Sequence, residues 1–257
     1  MINVKPILFS SGMVKAILRE IKEPGTGKTQ TRRIIKPQPG HKVTSAGVVS
    51  RSGVGQTDEW HWLSGDPKDC DTWGSEGDFG TGYRPGYLLW LREACGTGGH
   101  FPSPWAYRAD GKEYKGERWT PSIFMPRRAS RLTLEVTDVR VQRLQEITEA
   151  DAKAEGVERL DPTPEDEEWN RRWCEEEARP VEPLHPVWTA PGTRQGYGPR
   201  KDDPQWGPTP EFAFRLLWDS INATRGFGWD TNPWIVALTF QPHLANVDDL
   251  LRGGPSA

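Results

Sequence analysis

Residues Arg131–Leu144 read RLTLEVTDVRVQRL, the cleanest two-residue alternation in the chain. Successive side chains of a strand point to opposite faces, so Leu132, Leu134 and Val136 share one side and Thr133, Glu135 and Thr137 the other. After Asp138 the apolar positions move to Val139 and Val141, which predicts a bulge or bend near Asp138. A strand with one apolar face needs neighbours. Tyr87–Ala94 (YLLWLREA) reads as a strand buried on at least one face, and Trp234–Phe240 (WIVALTF) as a final buried strand. Pro6–Phe9 and the β-branched Thr29–Ile35 read as further strands, and Trp105–Ala109 as a short one.

Helices separate these strands. Met13, Ile17 and Ile21 recur at four-residue spacing, with Val14 and Leu18 alongside, which makes Met13–Ile21 a helix with one apolar face. Pro24, Gly25 and Gly27 break it. Thr148–Glu155 carries the signature of a capping box, Thr148 with Asp151 three residues on, and Gly156 supplies its stop. Pro164–Ala178 reads as a charged helix, and Pro210–Ile221 as an amphipathic one turning Phe212, Leu216, Leu217 and Ile221 inward. Residues 40–82 have no sustained period and read as a loop insertion pinned by Trp60, Trp62 and Trp73; 157–210 read as a second insertion, holding the Pro164–Ala178 helix and then a Pro- and Gly-rich loop over 179–210. The expectation is a single α+β domain over 1–244, a small mixed barrel with helices at its ends, and a flexible tail at 245–257.

Composition narrows the function classes. Only 35% of the 257 residues are hydrophobic, so the core is lean, yet 13 Trp argue against general disorder. No apolar run approaches the roughly 18–20 residues that span a bilayer, and MINVKPILFSSG lacks a signal-peptide core, so no membrane partner is expected. Cys70, Cys95 and Cys174 are scattered, with no CxxC and no histidines at ligand spacing, so neither a metal nor another cofactor is expected. A reducing cytoplasm fits. Charge is unevenly spread: nine Lys/Arg stand against Glu20 and Glu23 in residues 1–43, whereas residues 146–182 are strongly acidic. That split predicts a basic functional face and a solvated or partner-facing acidic segment.

Two motifs lie in the basic segment. Gly25–Thr29 reads GTGKT and has the flavour of a phosphate loop, but the position six before Lys28 is Lys22 rather than Gly, and the loop follows a helix rather than a strand. A phosphate loop is therefore not expected. The following KTQTRR places Lys28, Gln30 and Arg32 on one side of a strand, with Thr29, Thr31 and Arg33 on the other. A distorted strand entry would still bring Lys28 and Thr31 together. A lysine whose pKa is lowered by burial or by a like charge can deprotonate a hydroxyl, which would make Thr31 a nucleophile, with Arg32 and Arg33 recognising an anion. The same residues also suit an exposed basic edge strand kept from aggregating by its charge.

PILFSSGMVKAIL, GKTQTRRIIKPQP, YLLWLREA, PSIFMPRRASRLTLEVTDVRVQRLQEITEADAKAEGV, FAFRLLWDSIN and NPWIVALTF together resemble phage-type ASCH-domain proteins, in the order that family shows. The resemblance implies a PUA-like fold, a small barrel with a helix-flanked cleft, associated with RNA or modified nucleosides. Acetylcytidine amidohydrolases of that superfamily carry a Lys-x-x-Thr pair and a downstream Glu. By resemblance these are Lys28, Thr31 and Glu155, with Thr31 attacking the acyl carbonyl, Lys28 taking its proton and Glu155 protonating the leaving amine. The chain departs from the family in a longer loop before Lys28 and in Gly86-Tyr87, where Gly-Asp is usual. Other ASCH proteins are ribonucleases or plain binding modules, and both alternatives stay open.

A last constellation sets Arg127, Arg128 and Arg131 beside Trp90, Arg92 and Trp105. Arginines pair with phosphates and exposed aromatics stack on bases, so Arg32, Arg33, Trp90, Arg92, Arg127, Arg128 and Arg131 form the expected nucleic-acid-binding set. Trp90 fits a strand core equally well, and Glu93, pointing the other way, is an expected ion-pair partner. The expected partner is a nucleoside or nucleic acid, RNA before DNA, met in the cytoplasm of a bacterial host if the chain is phage-encoded. Nothing in the sequence fixes an oligomeric state.

Overall fold

The computed structural model describes residues 2–40, 43–48, 59–64, 74–101, 104–112, 114, 118–178, 180–181, 184–191, 206–207 and 209–253. In chain order the elements are β1 (Val4–Leu8), α1 (Ser11–Lys22), β2 (Gln30–Ile34), β3 (Val43–Val48), β4 (Glu59–Ser64), β5 (Gly74–Gly80), β6 (Leu88–Arg92), β7 (Cys95–Gly96) and β8 (Ala106–Tyr107). There follow β9 (Thr133–Arg143), α2 (Glu149–Ala154), β10 (Glu158–Leu160), α3 (Pro164–Glu176), β11 (Val187–Thr189), β12 (Trp206–Gly207), α4 (Pro210–Asn222), β13 (Trp234–His243) and α5 (Val247–Leu251).

The architecture is α+β, built on a five-stranded sheet ordered β1-β6-β9-β13-β2. β1 and β6 run parallel and the other pairs antiparallel. The β9–β13 pairing runs from Trp234 opposite Arg143 to His243 opposite Thr133. Its register slips between Thr239, opposite Asp138, and Phe240, opposite Val136, which leaves Thr137 as the extra residue. The bulge expected near Asp138 is thus present. It lets Leu134 and Val136 sit fully buried while Asp138 turns outward.

β13 is apolar on both faces because both are covered. Val236, Leu238 and Phe240 enter the main core with Ile7, Leu89, Leu91, Leu134 and the α1 residues Val14 and Ile17. Ile235 and Ala237 face a second core made with Ala152 of α2 and Ala213, Phe214 and Trp218 of α4. α4 is therefore turned differently from the sequence expectation. Phe212 and Ile221 are 40% and 42% exposed, because the larger aromatic pair Phe214 and Trp218 takes the inward stripe. Leu216 and Leu217 are half-buried.

Both insertions contain regular structure. Residues 40–82 include the antiparallel sheet β3-β4-β5, whose Trp62 stacks on Phe79 at 3.8 Å and meets Trp234 at 5.2 Å. Trp60 is buried as well, whereas Trp73 lies outside the described residues. Within 157–210, α3 forms as expected, and β10-β11-β12 make another small sheet that contacts α4. The tail expected at 245–257 is not loose in its described part. Thr133 Oγ1 donates to the Ala245 carbonyl, Asn246 Nδ2 donates to the carbonyls of Arg127 and Ser130, and Val247 at the start of α5 is completely buried.

Strand pairing leaves the five-stranded sheet open. No ladder joins β1 to β2 among the described residues; instead Arg33 of β2 donates from Nη2 to the Leu8 carbonyl at the end of β1 (2.8 Å). No helix among them is long and apolar enough to cross a membrane.

Removing residues 245–257 should lower stability by at least about 2 kcal/mol, the scale of one buried valine plus its tethering hydrogen bonds. Urea denaturation of the truncated chain measures this; an unchanged midpoint would mean that α5 contributes nothing to the fold.

Candidate active-site cavity

The site forms where the entry of β2 meets the end of α2. Three backbone contacts bring them together: Lys28 N–H donates to the Ala16 carbonyl of α1 (3.1 Å), Thr29 N–H to the Ala154 carbonyl of α2 (2.8 Å), and Phe240 N–H of β13 to the Thr29 carbonyl (2.9 Å). α2 begins as its capping signature predicts, with Thr148 accepting from Asp151 N–H and Asp151 accepting in return from Thr148 N–H. Gly156 follows at φ +93°, a left-handed conformation suited to glycine. A β-carbon there would also press on Ala16, Lys28 and Pro191, so this corner closes only around a bare backbone.

Glu155 is the hub. It is 3% exposed rather than the solvated last-turn acid that its position at a helix end would otherwise suggest. Lys28 Nζ donates to Glu155 Oε2 at 2.5 Å and to the Glu155 carbonyl at 2.9 Å. Arg32 Nη1 donates to the other carboxylate oxygen at 3.0 Å. Beyond it, Arg32 Nη2 lies 3.1 Å from Asp151 Oδ2, and Arg140 Nη2 donates to Asp151 Oδ1 at 2.8 Å. Gln30 Oε1 accepts from both guanidiniums. Two buried carboxylates are thereby held by three cations, Lys28 just before β2, Arg32 of β2 and Arg140 of β9.

Burial pulls the pKa of Lys28 below its usual 10.5, against the opposing pull of the Glu155 charge and hydrogen bond. Its amine also lies 5.8 Å from the centre of the Phe9 ring. For Asp151 burial works against ionisation, but the Arg140 hydrogen bond and the charges of Arg32 and Arg140 outweigh it and hold the carboxyl below its usual 3.8.

A cavity of about 250 Å³ opens against this cluster, between β2 and α4. Thr31, Arg32, Arg33 and Glu155 form one wall, and Phe214, Leu217 and Ile221 of α4 line another. Lys28 stands behind Glu155, completely buried. Thr31 is itself 2% exposed. The expected trio is therefore gathered at one place: Lys28 bonded to Glu155, and Thr31 with Glu155 on the cavity wall. Sequence reasoning missed Asp151, taken only as a cap, and Gln30, Arg140, Lys36 and Arg225, whose approach depends on the tertiary fold.

The nucleic-acid set divides. Arg32 is committed to Glu155 and Asp151, and Arg33 to the Leu8 carbonyl while it lies 5.1 Å over the Phe9 ring. Arg131 is not a free phosphate contact. Its Nε and Nη2 donate to both oxygens of fully buried Glu93 (2.9 and 3.1 Å), its Nη1 pairs with Asp110 (2.7 Å), and it stacks 3.9 Å from the Tyr107 ring centre. The ion-pair partner expected for Glu93 is thus Arg131. Burial raises the Glu93 pKa and Arg131 partly offsets it. Arg127 is likewise drawn into a pair with Asp248 at 2.6 Å. Arg92 over Trp90 and exposed Arg128 over Trp105 keep guanidinium–indole contacts without an acidic partner among the described residues. Trp90 is half-buried.

GTGKT is a structural loop. Its Gly25 and Gly27 N–H groups donate to the Glu20 carboxylate at 2.9–3.0 Å, so an internal carboxylate takes the place a phosphate would occupy. Gly27 packs so tightly on α1 that a β-carbon would fall 2.3 Å from the Ala16 carbonyl oxygen. Among the described residues no group of three or more His, Cys, Asp or Glu is placed to hold a metal ion. Comparison of the chain with protein-family models, with curated proteins and with solved structures finds no match.

Glu155→Ala should destabilise the chain by about 3–5 kcal/mol, because it leaves Lys28 and Arg32 buried without their counter-charge. In a double-mutant cycle Lys28→Met with Glu155→Ala should cost less than the two separately, with a coupling above about 1 kcal/mol. Additive losses in urea denaturation would show that the pair does not interact. Arg131→Ala should likewise unfold the chain more readily by orphaning Glu93, whereas Arg128→Ala should shift stability by less than about 0.5 kcal/mol.

Proposed function

We propose that this chain is an ASCH-type, PUA-like protein that hydrolyses an acyl amide on a cytosine base, with Thr31 as nucleophile. The observation that carries the reading is that Thr31 and Glu155 line one cavity while Lys28, 127 positions before Glu155, bonds that carboxylate from behind. Strand pairing leaves the sheet open, but β1 and β2 approach closely enough for Arg33 to bridge them, which supports a barrel-like reading of the same sheet.

The chemistry is the one the family resemblance implies, set on the Lys28–Glu155 contact and the cavity wall. Neutral Lys28, favoured by burial, takes the Thr31 hydroxyl proton as Oγ1 attacks the acyl carbonyl. The Lys28–Glu155 hydrogen bond passes a proton to Oε2, and Glu155, on the cavity wall, delivers it to the departing amine. The C–N bond breaks and the acyl group stays on Thr31 as an ester. Water, activated by the same amine, then releases the acid and restores the hydroxyl. Arg32 and Arg33 on the same wall supply positive charge where the carbonyl oxygen becomes negative.

A second reading, a binding module without chemistry, draws on Trp90–Arg92 and Trp105–Arg128, which offer stacking faces and guanidiniums free of acidic partners among the described residues. On this reading RNA is the partner, a phage-infected bacterial cytoplasm the setting, and ribonuclease action a further variant.

The hydrolase reading predicts acetate release from acetylcytidine. Thr31→Ala should abolish it, a loss of at least about a thousandfold in kcat/KM, with thermal midpoint retained, while Thr31→Ser should keep a measurable rate. Activity needs neutral Lys28, so it should rise with pH through the folded-state pKa of that amine, below 10.5, and level off above it. Absence of acyl release from a panel of acylated nucleosides would rule the hydrolase out and leave the binding module.

A further inference from the structure

The cavity wall is charged in a way that amide hydrolysis alone does not require. Its ionisable lining is Arg32, Arg33, Lys36, Arg225 and a single acid, Glu155. That acid is already matched twice, by Lys28 and by Arg32. Arg33 is turned to the Leu8 carbonyl and Lys36 to the face of Phe227, 4.9 Å from its centre. Neither Lys36 nor Arg225 has an acidic partner among the described residues, and both are exposed, unlike the buried Lys28–Arg32–Glu155 cluster. They come from separate elements, Lys36 just past β2 and Arg225 in the turn after α4, so the fold brings two cations without acidic partners among the described residues to the lining of one cavity.

Size points the same way. Pockets for larger organic ligands run from roughly 300 to 1,000 Å³, and this one holds about 250 Å³. It suits one base with its sugar and leaves a group attached to that sugar at the mouth, where Lys36 and Arg225 stand. The apolar side formed by Phe214, Leu217 and Ile221 suits a base face, and the cationic side suits an anion.

We propose that the ligand of this cavity is a phosphate ester, a nucleotide rather than a free nucleoside, with its phosphate held between Lys36 and Arg225. This deepens the cytosine-amide reading and rests on its choice of cavity, but not on its chemistry. The phosphate belongs either to a mononucleotide or to a unit of a single strand, and the ion-pairing chemistry is the same for both.

The test is calorimetric and needs no turnover. Affinities of the full chain are compared for cytidine and cytidine monophosphate, each with and without the acetyl group, and for a short acetylated oligonucleotide. The monophosphate should bind at least about tenfold more tightly than its nucleoside at low salt, and the ratio should shrink as salt rises. Lys36→Ala with Arg225→Ala should bring the ratio close to one, while Lys36→Arg retains it; thermal midpoints check that the variants fold. A preference confined to the oligonucleotide supports the same contact and assigns the phosphate to a strand. Equal binding of nucleotide and nucleoside, a ratio untouched by the double variant, or no binding of any of these compounds overturns the proposal. Tighter nucleotide binding without acyl release removes the hydrolase and leaves the phosphate site standing.

Discussion

Glu155 accepting from Lys28 and Arg32 in a water-poor corner is the contact on which the arrangement depends. Two cations and a carboxylate taken out of water cost several kcal/mol each unless mutually satisfied. Here the charges are matched, although Arg32 Nε and Nη2 are buried without a hydrogen bond: Lys28 bonds a carboxylate oxygen and a helix-end carbonyl, and Arg32 bonds Glu155 and pairs with Asp151. The carbonyls at the end of α2 carry the negative end of its dipole, which favours the ammonium placed there. The cluster ties β2, α2 and β9 into one body, and the cavity inherits its wall from that tie.

The apolar frame explains why the cluster can be so dry. β13 divides two cores, and α1 and α4 cover opposite sides of the sheet around it. Lys28 is sealed behind Phe9 and α1, while Thr31 and Glu155 reach the gap that α4 leaves along β2. One end of the ion cluster is thus insulated and the other meets a ligand-sized opening. A chemical role for the lysine depends on this one-sidedness, since a fully hydrated ammonium would keep its proton at neutral pH.

Much of this was legible in residue order because the signals were local. Alternation in Arg131–Leu144 foretold both the strand and its bulge, Thr148 and Asp151 marked the start of α2, and the unbroken apolar run in β13 marked a strand covered on both faces. What stayed hidden depended on partners distant in sequence. Composition made residues 40–82 look like loop, whereas the aromatic contacts of Trp62 give part of that stretch a sheet to join. The inward face of α4 was misread because large aromatics at 214 and 218 displaced the aliphatic stripe. Arg131 looked available for phosphate because its acids, Glu93 and Asp110, sit 38 and 21 positions earlier. Of the site itself, residue types and the Lys-x-x-Thr spacing could be read from the strand, whereas the meeting with Glu155 was expected from the family resemblance alone.

The loop between α1 and β2 shows how a familiar spelling can carry the opposite meaning. The Gly25 and Gly27 amides are taken by Glu20, a tethered anion that no diffusing one can dilute away, and those of Thr26, Lys28 and Thr29 by backbone carbonyls. An incoming phosphate would have to evict a side chain whose effective concentration is set by the chain itself, so the glycines serve as an internal clasp that fixes where the strand carrying Lys28 begins. Motif searches that score glycines and a lysine without asking what already occupies the cradle will mistake such clasps for nucleotide sites.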